Sequence, residues 1–288
     1  MKVAILGSRG RLGAALLREW SEKFNVRGFA RPELDLLVPA TIDQCLEGDF
    51  NWVVNCAAHT NVDACERQPE EARLANTVAP RRIAEICAKK RARLIHISTD
   101  YVFDGRNREP YDEEAAPSPL SVYGRSKADG EAEVLAALPN AIVARVSWVF
   151  GPDKPSFIDM LLGRALANDQ VAAIADKWST PTYTIHLAQW LRMLIEADAA
   201  GGVYHLCNDG ECTWREYGAY ALECARELGL PVKTTEVAPL ELASMEGFIA
   251  ERPVYTVMST GRFREAFHYD PPPWQTAVRE YLRDHPPC

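Results

Sequence analysis

Short apolar runs alternate with longer mixed stretches along the first half of the chain. Lys2–Leu6, Val26–Ala30, Trp52–Asn55, Leu94–Ser98 and Ala141–Val146 have the length and apolar character of buried strands. Between them, Leu12–Phe24, Glu70–Lys90 and Ser121–Leu138 read as helices. This alternation predicts an α/β fold, a Rossmann-like doubly wound parallel sheet with helices on both faces. Such sheets bind ligands beyond the carboxyl ends of their strands.

The second half is less regular. Phe157–Asn168, Ile185–Ala197 and Trp274–Arg283 read as helices, and Val203–Leu206 as a strand. Thr213 with Glu216 three residues on predicts a capping box at the start of a helix over Trp214–Leu228. Prolines at 110, 117, 119, 152 and 155 mark a loop-rich join between the halves. The expected organisation is a dinucleotide-binding domain over 1–150, carrying part of the active site. A smaller, mainly substrate-binding domain over 151–288 would return one strand or helix to the first.

Composition narrows the partners. The 288 residues are 47% hydrophobic and 25% charged, ordinary for a globular chain. A net charge of −8 argues against nucleic acid as a partner, since phosphate contacts need a basic surface. No apolar run approaches a membrane span, and Gly7–Gly10 interrupts the first apolar run before it could form a signal-peptide core. The eight cysteines hold no Cys-x-x-Cys pair, and Cys56, Cys87 and Cys224 sit in apolar segments as small hydrophobes. A cytoplasmic location without a structural metal is expected.

Gly7-Ser-Arg-Gly10-Arg-Leu-Gly13 follows the first strand and opens the first helix. In that context Gly7 permits a tight turn, Gly10 lets a pyrophosphate approach the backbone, and Gly13 brings helix and sheet together. The spacing is Gly-x-x-Gly-x-x-Gly rather than Gly-x-Gly-x-x-Gly. After the second strand, Arg31 stands where an acidic residue would favour NAD, and Arg9 lies in the glycine turn. Either guanidinium could pair with a 2′-phosphate, which favours NADP over NAD. A solvated loop charge is the alternative reading of Arg31. His59 ends Asn55-Cys-Ala-Ala-His59 without a carboxylate partner in view and reads as structural.

Tyr123 and Lys127 share one helix face, and Ser98 and Thr99 end the fourth strand. A Tyr-x-x-x-Lys alone carries little weight. Beside a hydride-carrying cofactor it becomes a proton-donating site. A ketone reduced by hydride needs a proton on its oxygen, and a phenol supplies one when a nearby ammonium lowers its pKa. Thr99 or Ser98 would polarise the carbonyl.

Gly7-x-x-Gly10-x-x-Gly13, Asn55-x-Ala57-Ala58 and Tyr123-x-x-x-Lys127 resemble the extended short-chain dehydrogenase/reductases. The longer strings Ala57–Asp63, Ser98–Gly105, Val122–Glu131 and Ser147–Gly151 resemble, within them, the dTDP-4-dehydrorhamnose reductases. The resemblance runs in register over nearly the whole chain. It implies reduction of the 4-keto group of a dTDP-4-dehydro-6-deoxy sugar. It makes Tyr123 the proton donor, Lys127 its activator and Thr99 the carbonyl ligand. Asp100, Tyr101 and Trp148 would line the sugar pocket, although Trp148 reads equally as a core aromatic. Arg11, Leu12, Ala57, Ala58, Thr60 and Asn76 would join the three glycines around the cofactor.

Departures fall in the substrate half. Asp176-Lys177-Trp178-Ser179-Thr180-Pro181-Thr182 stands where the family often has Asp-Gln-x-Gly-x-Pro-Thr, and Thr256 and Met258 also differ. Some family members hold magnesium at a dimer contact. A homodimer is compatible with this sequence, but no carboxylate cluster demands the metal. Two other readings stay open: a sugar-nucleotide epimerase or dehydratase of the same fold, and a non-catalytic dinucleotide-binding regulatory subunit. Dehydratases typically carry Asp-Glu where this chain has Asp100-Tyr101, which favours simple reduction.

Overall fold

The computed structural model describes residues 1–286. In chain order the first half contains β1 (Lys2–Leu6), α1 (Arg11–Trp20), β2 (Asn25–Phe29), α2 (Pro39–Cys45), β3 (Trp52–Asn55), α3 (Val62–Arg67), α4 (Pro69–Arg73), a π turn (Leu74–Val78), α5 (Ala79–Lys90), β4 (Arg93–Thr99), α6 (Val122–Ala137) and β5 (Ile142–Val146). The second half contains β6 (Val149–Phe150), α7 (Phe157–Ala167), β7 (Val171–Ile174), β8 (Trp178–Ser179), β9 (Thr182–Tyr183), α8 (Thr184–Glu196), β10 (Gly202–Leu206), β11 (Cys212–Thr213), α9 (Trp214–Glu227), β12 (Val237–Leu240), α10 (Gly261–Phe267) and α11 (Trp274–Asp284).

Six strands form one parallel sheet in the order β10-β5-β4-β3-β1-β2. The chain leaves β1 for β2 on one side and returns to β3 on the other. The crevice at that reversal is where doubly wound sheets take their ligands. Alternation along β1 explains the layers. Val3 and Ile5 face Leu16, Trp20, Leu187 and Leu191 of α1 and α8. Ala4 and Leu6 face Ile83, Cys87 and Val134 of α5 and α6. Trp20 Nε1 donates to Ala188 O at 3.0 Å, tying α1 to α8. A separate core in the second half gathers Ile158, Leu162, Tyr217, Leu222, Trp274 and Tyr281.

Most expected elements form, with informative exceptions. The first helix stops at Trp20 rather than Phe24, and the chain continues as a turn in which Lys23 and Phe24 N–H both donate to Trp20 O. The stretch from 70 to 90 is not one α-helix. Pro80 has no N–H for Asn76 O, and the chain widens there into the π turn. α6 crosses at that point so closely that a Cβ on Gly130 would lie 2.0 Å from Asn76 O. The capping box forms as expected: Glu216 N donates to Thr213 Oγ1 at 3.1 Å, and Thr213 N donates to Glu216 Oε2 at 2.8 Å. Gly202–Leu206 pairs with β5 as the sheet edge. Among the described residues no helix is long and apolar enough to cross a membrane, and the seven cysteines are free thiols.

Candidate active site

A cleft of about 810 Å³ opens beyond the carboxyl ends of β1, β3 and β4. Its size falls within the roughly 300–1,000 Å³ of small-molecule sites. One wall is the glycine turn. Gly7 lies at φ +82°, a backbone conformation suited to glycine. Its N–H and that of Ser8 both donate to Phe29 O, at 2.8 and 3.0 Å. A Cβ on Gly7 would sit 2.7 Å from Ala57 N, and one on Gly13 would sit 2.3 Å from Gly7 O. The helix behind the turn starts at Gly10 with no side-chain cap and no acidic residue in its first turn. Its first N–H groups therefore face the cleft without side-chain competition, as a pyrophosphate would require.

Gly7, Gly10, Arg11, Leu12, Gly13 and Arg31 line this wall, and Ala57, Ala58 and Thr60 line the next. Arg11 is anchored as well as cleft-lining. It donates to Val149 O, Lys154 O and Pro155 O at 3.1, 3.3 and 2.7 Å, tying the 149–155 segment to the start of α1. The Arg31 side chain is 74% exposed and lies 3.5 Å from Asp35. Arg9 Nη1 donates to Arg31 O at 3.1 Å, so the two guanidinium-bearing segments meet at one end of the cleft.

Asn76 stands behind this wall. It is fully buried and does not line the cleft. Its Oδ1 accepts His59 N at 2.8 Å, and its Nδ2 donates to His59 O and Ser126 Oγ, both at 3.0 Å. It clamps the 57–60 segment to α6 from behind. It thereby braces the segment that the resemblance places around the cofactor.

Thr99, Tyr123 and Lys127 come together on the opposite wall. Ser121 caps α6 by accepting Gly124 N at 3.1 Å, which sets Tyr123 and Lys127 on its first turns. The Tyr123 ring meets Tyr101 edge-on, with centroids 5.7 Å apart. Thr99 Oγ1 donates to Asp100 Oδ1 at 3.0 Å and accepts Tyr101 N at 3.2 Å. Burial pushes the Tyr123 phenol up, a hydrogen bond with Thr99 opposes this, and Asp100 and Cys65 add to the rise. That reverses the expected downward pull of Lys127. The reason is geometric: Lys127 Nζ donates to Ile97 O at 2.7 Å and lies 3.4 Å from His96 Nε2. Burial lowers Lys127 to about 8, against Glu131, which favours its ammonium.

Asp100 lines the cleft, but its carboxylate is fully engaged. Besides Thr99 it accepts Ser147 Oγ, Ser179 Oγ and Thr256 Oγ1, at 2.9, 3.1 and 2.7 Å. Ser179 and Thr256 are two of the departures from the family pattern, and both serve this one carboxylate. Lys177, a third departure, is buried, donates to Pro253 O at 2.6 Å and lies 5.2 Å from the Tyr101 ring. Burial lowers it to about 8. Trp148 lines the cleft at a strained φ of +40° and packs against Phe157, Trp214 and Tyr217. It is both pocket wall and aromatic core. The other lining carboxylate, Glu71, is exposed.

Sequence reasoning missed Leu34, Leu36 and Leu37, which line the cleft beyond β2. Their clustering after Arg31-Pro32 was the available signal. His59 lines the cleft with a buried, unpartnered Nε2.

The profile of the family described as RmlD substrate binding domain matches residues 1–286. The chain is 34% identical over 295 residues to a probable dTDP-4,6-dihydroxy-2-methyloxan-3-one 4-ketoreductase of Streptomyces antibioticus, covering 100% of this chain and 98% of the relative. A crystal structure of a dTDP-4-dehydrorhamnose reductase from Clostridium acetobutylicum superposes with a TM-score of 0.90 at 30% identity, covering 98% and 99% of the two chains. The dTDP-4-dehydrorhamnose reductase of Bacillus anthracis, solved in complex with NADP, gives 0.92 at 28% identity over the same shares.

Proposed function

The chain belongs to the RmlD substrate-binding-domain family, and from that premise we propose that it reduces the 4-keto group of a dTDP-4-dehydro-6-deoxy sugar with NADPH. The reaction would take dTDP-4-dehydrorhamnose to dTDP-L-rhamnose, and dTDP-4-dehydrorhamnose reductases are named among its relatives. The observation that carries the reading is the convergence of Thr99, Tyr123 and Lys127 on the cleft built by the Gly7–Gly13 turn.

The reduced nicotinamide supplies hydride when bound. Tyr123 Oη gives its proton to the carbonyl oxygen as charge develops there. Thr99 Oγ1 lies beside it to orient and polarise that oxygen. Lys127, as the ammonium, stabilises the phenolate that remains. Ala57, Ala58 and Thr60 would hold the dinucleotide along their wall, and the uncapped start of α1 would bind its pyrophosphate. Asp100 and Tyr101 bound the sugar side, with Trp148 as its aromatic wall, and residues 151–288 supply most of the substrate-binding part.

Elimination or epimerisation at a neighbouring carbon needs an additional base. Of the carboxylates lining the cleft, Asp100 is spent on four hydroxyl donors and Glu71 is exposed, so neither is placed as that base. The cleft therefore suits reduction. The test is NADPH oxidation by the purified chain with dTDP-4-keto-6-deoxy sugars. Binding of NADPH without reduction of any such ketone would favour the regulatory reading.

Two further outcomes follow from the site. Lys127 must be the ammonium for this chemistry, and it holds that proton only below about 8. The kcat/KM for NADPH is therefore expected to be full below that pH and to fall about tenfold per pH unit above it. A flat profile through pH 9 would contradict the role. The exposed Arg31 is read as a partner of the 2′-phosphate. Arg31→Ala is expected to raise KM for NADPH about tenfold, near the low end for a charged hydrogen bond, and to leave KM for NADH unchanged. Equal effects on both cofactors would remove the assignment.

A further inference from the structure

His96 is fully buried in β4 and stands directly opposite Asn55 of β3. The Asn55 amide is oriented by its surroundings. Its Oδ1 accepts Ala57 N at 3.1 Å, which turns its Nδ2 toward His96 Nδ1, also at 3.1 Å. An amide nitrogen offers only protons, so Nδ1 is the accepting nitrogen. In the neutral ring the proton then sits on Nε2. Burial, with Lys127 alongside, keeps the ring neutral, far below its ordinary value. Nε2 lies 3.4 Å from Lys127 Nζ. Against an ammonium, two donors would face each other there. Against a neutral amine, Nε2–H donates to the nitrogen lone pair.

We propose that His96, in the tautomer imposed by Asn55, is a positioning residue that stabilises the neutral amine of Lys127 and so sets the pH at which this lysine releases its proton. This rests on the reading of Tyr123 and Lys127 as the proton-donating pair. The groups facing Lys127 divide as follows. On its own helix, Tyr123 lies one turn before it and Glu131 one turn after. Glu131 favours the ammonium, but three hydrogen bonds from Arg145 of β5 and one from Ser98 of β4 already hold its carboxylate. Cys56, at the end of β3, is a thiol pushed up to about 12 and hence uncharged. His96, from β4, is the group whose hydrogen bond distinguishes amine from ammonium.

The test uses the full chain without substrate. Lysine labelled with 13C at Cε is titrated by NMR, with the Lys127 signal assigned by its loss in Lys127→Met. Histidine ring 15N shifts are recorded alongside. The expected result is an Nε2–H tautomer at His96 and a Lys127 midpoint near 8. In His96→Gln, the amide oxygen accepts from the ammonium, and the midpoint should move up by about one pH unit. Asn55→Asp should recruit the proton to Nδ1, free Nε2 as an acceptor and also move the midpoint up. An Nδ1–H tautomer in the unaltered chain, or an unmoved midpoint in a folded His96→Gln protein, overturns the proposal. If His96→Gln does not fold, the tautomer and the Asn55→Asp titration decide. Because these readouts need no turnover, a correct tautomer in an inactive protein would sink the proposed reaction and leave only the coupling of His96 to Lys127 established.

Discussion

Tyr123→Phe is expected to bind NADPH as the unaltered chain does and to lose about 10²-fold or more in kcat. The substitution removes one hydroxyl and keeps the ring that packs edge-on against Tyr101 at 5.7 Å. Thr99 Oγ1 keeps its bonds to Asp100 and Tyr101 N, so the variant leaves no new buried orphan at that atom. The lost group is the proton donor itself, and general acids contribute about 10²–10⁴-fold. That corresponds to roughly 3–5 kcal/mol of barrier. Burial holds the phenol protonated until the ketone arrives, and it also makes the phenol a weaker acid. Steady-state rates and a fluorescence titration with NADPH check both halves. An unchanged kcat would remove Tyr123 from the chemistry, and lost cofactor binding would make its role structural.

Arg145→Met is expected to destabilise the fold by about 3–5 kcal/mol, the usual cost of stranding one partner of a buried ion pair. Arg145 and Glu131 are 2% and 4% exposed. They share three hydrogen bonds of 2.7 to 3.1 Å. Arg145 Nη1 also donates to His205 Nε2 at 3.3 Å, and its guanidinium lies 5.1 Å from the Phe103 ring. Removing the cation leaves a carboxylate in the core with only Ser98 Oγ as a donor from this cluster. Adding Glu131→Gln to the variant should restore part of the loss, since the stranded charge is then gone. Urea unfolding measures both. A loss below about 1 kcal/mol would show that water reaches Glu131. The pair matters for the site because it fixes α6, which carries Tyr123 and Lys127, against β4 and β5.

Local chemistry was legible in the sequence wherever one residue type has one use. The Gly7–Gly13 turn, the buried strand ending at Thr99 and the Thr213–Glu216 cap each follow from short-range sterics and hydrogen bonding. All appear where the pattern puts them. Elements such as β8 and β9, two residues each, carry no periodicity and are invisible until the chain is folded. Asn76 shows a second limit. The resemblance implies a cofactor contact for it, while its hydrogen bonds to His59 and Ser126, residues far from it in the chain, make it a brace. Tyr123 shows a third. Spacing placed Lys127 on its face, yet the sign of its pKa shift depends on burial and on what else Nζ bonds. The roles of Ser179 and Thr256 around Asp100 are likewise set by residues far apart in the chain, which no local pattern joins.

The central claim is a net hydride transfer to a sugar ketone. NADPH carrying deuterium at the transferring position of its nicotinamide C4, incubated with the chain and a dTDP-4-keto-6-deoxy sugar, tests it most directly. One NADP⁺ formed per product and the deuterium at C4 of the sugar are expected. Turnover of the sugar with no net oxidation of NADPH, or with solvent hydrogen appearing at a neighbouring carbon and none of the label at C4, would contradict it.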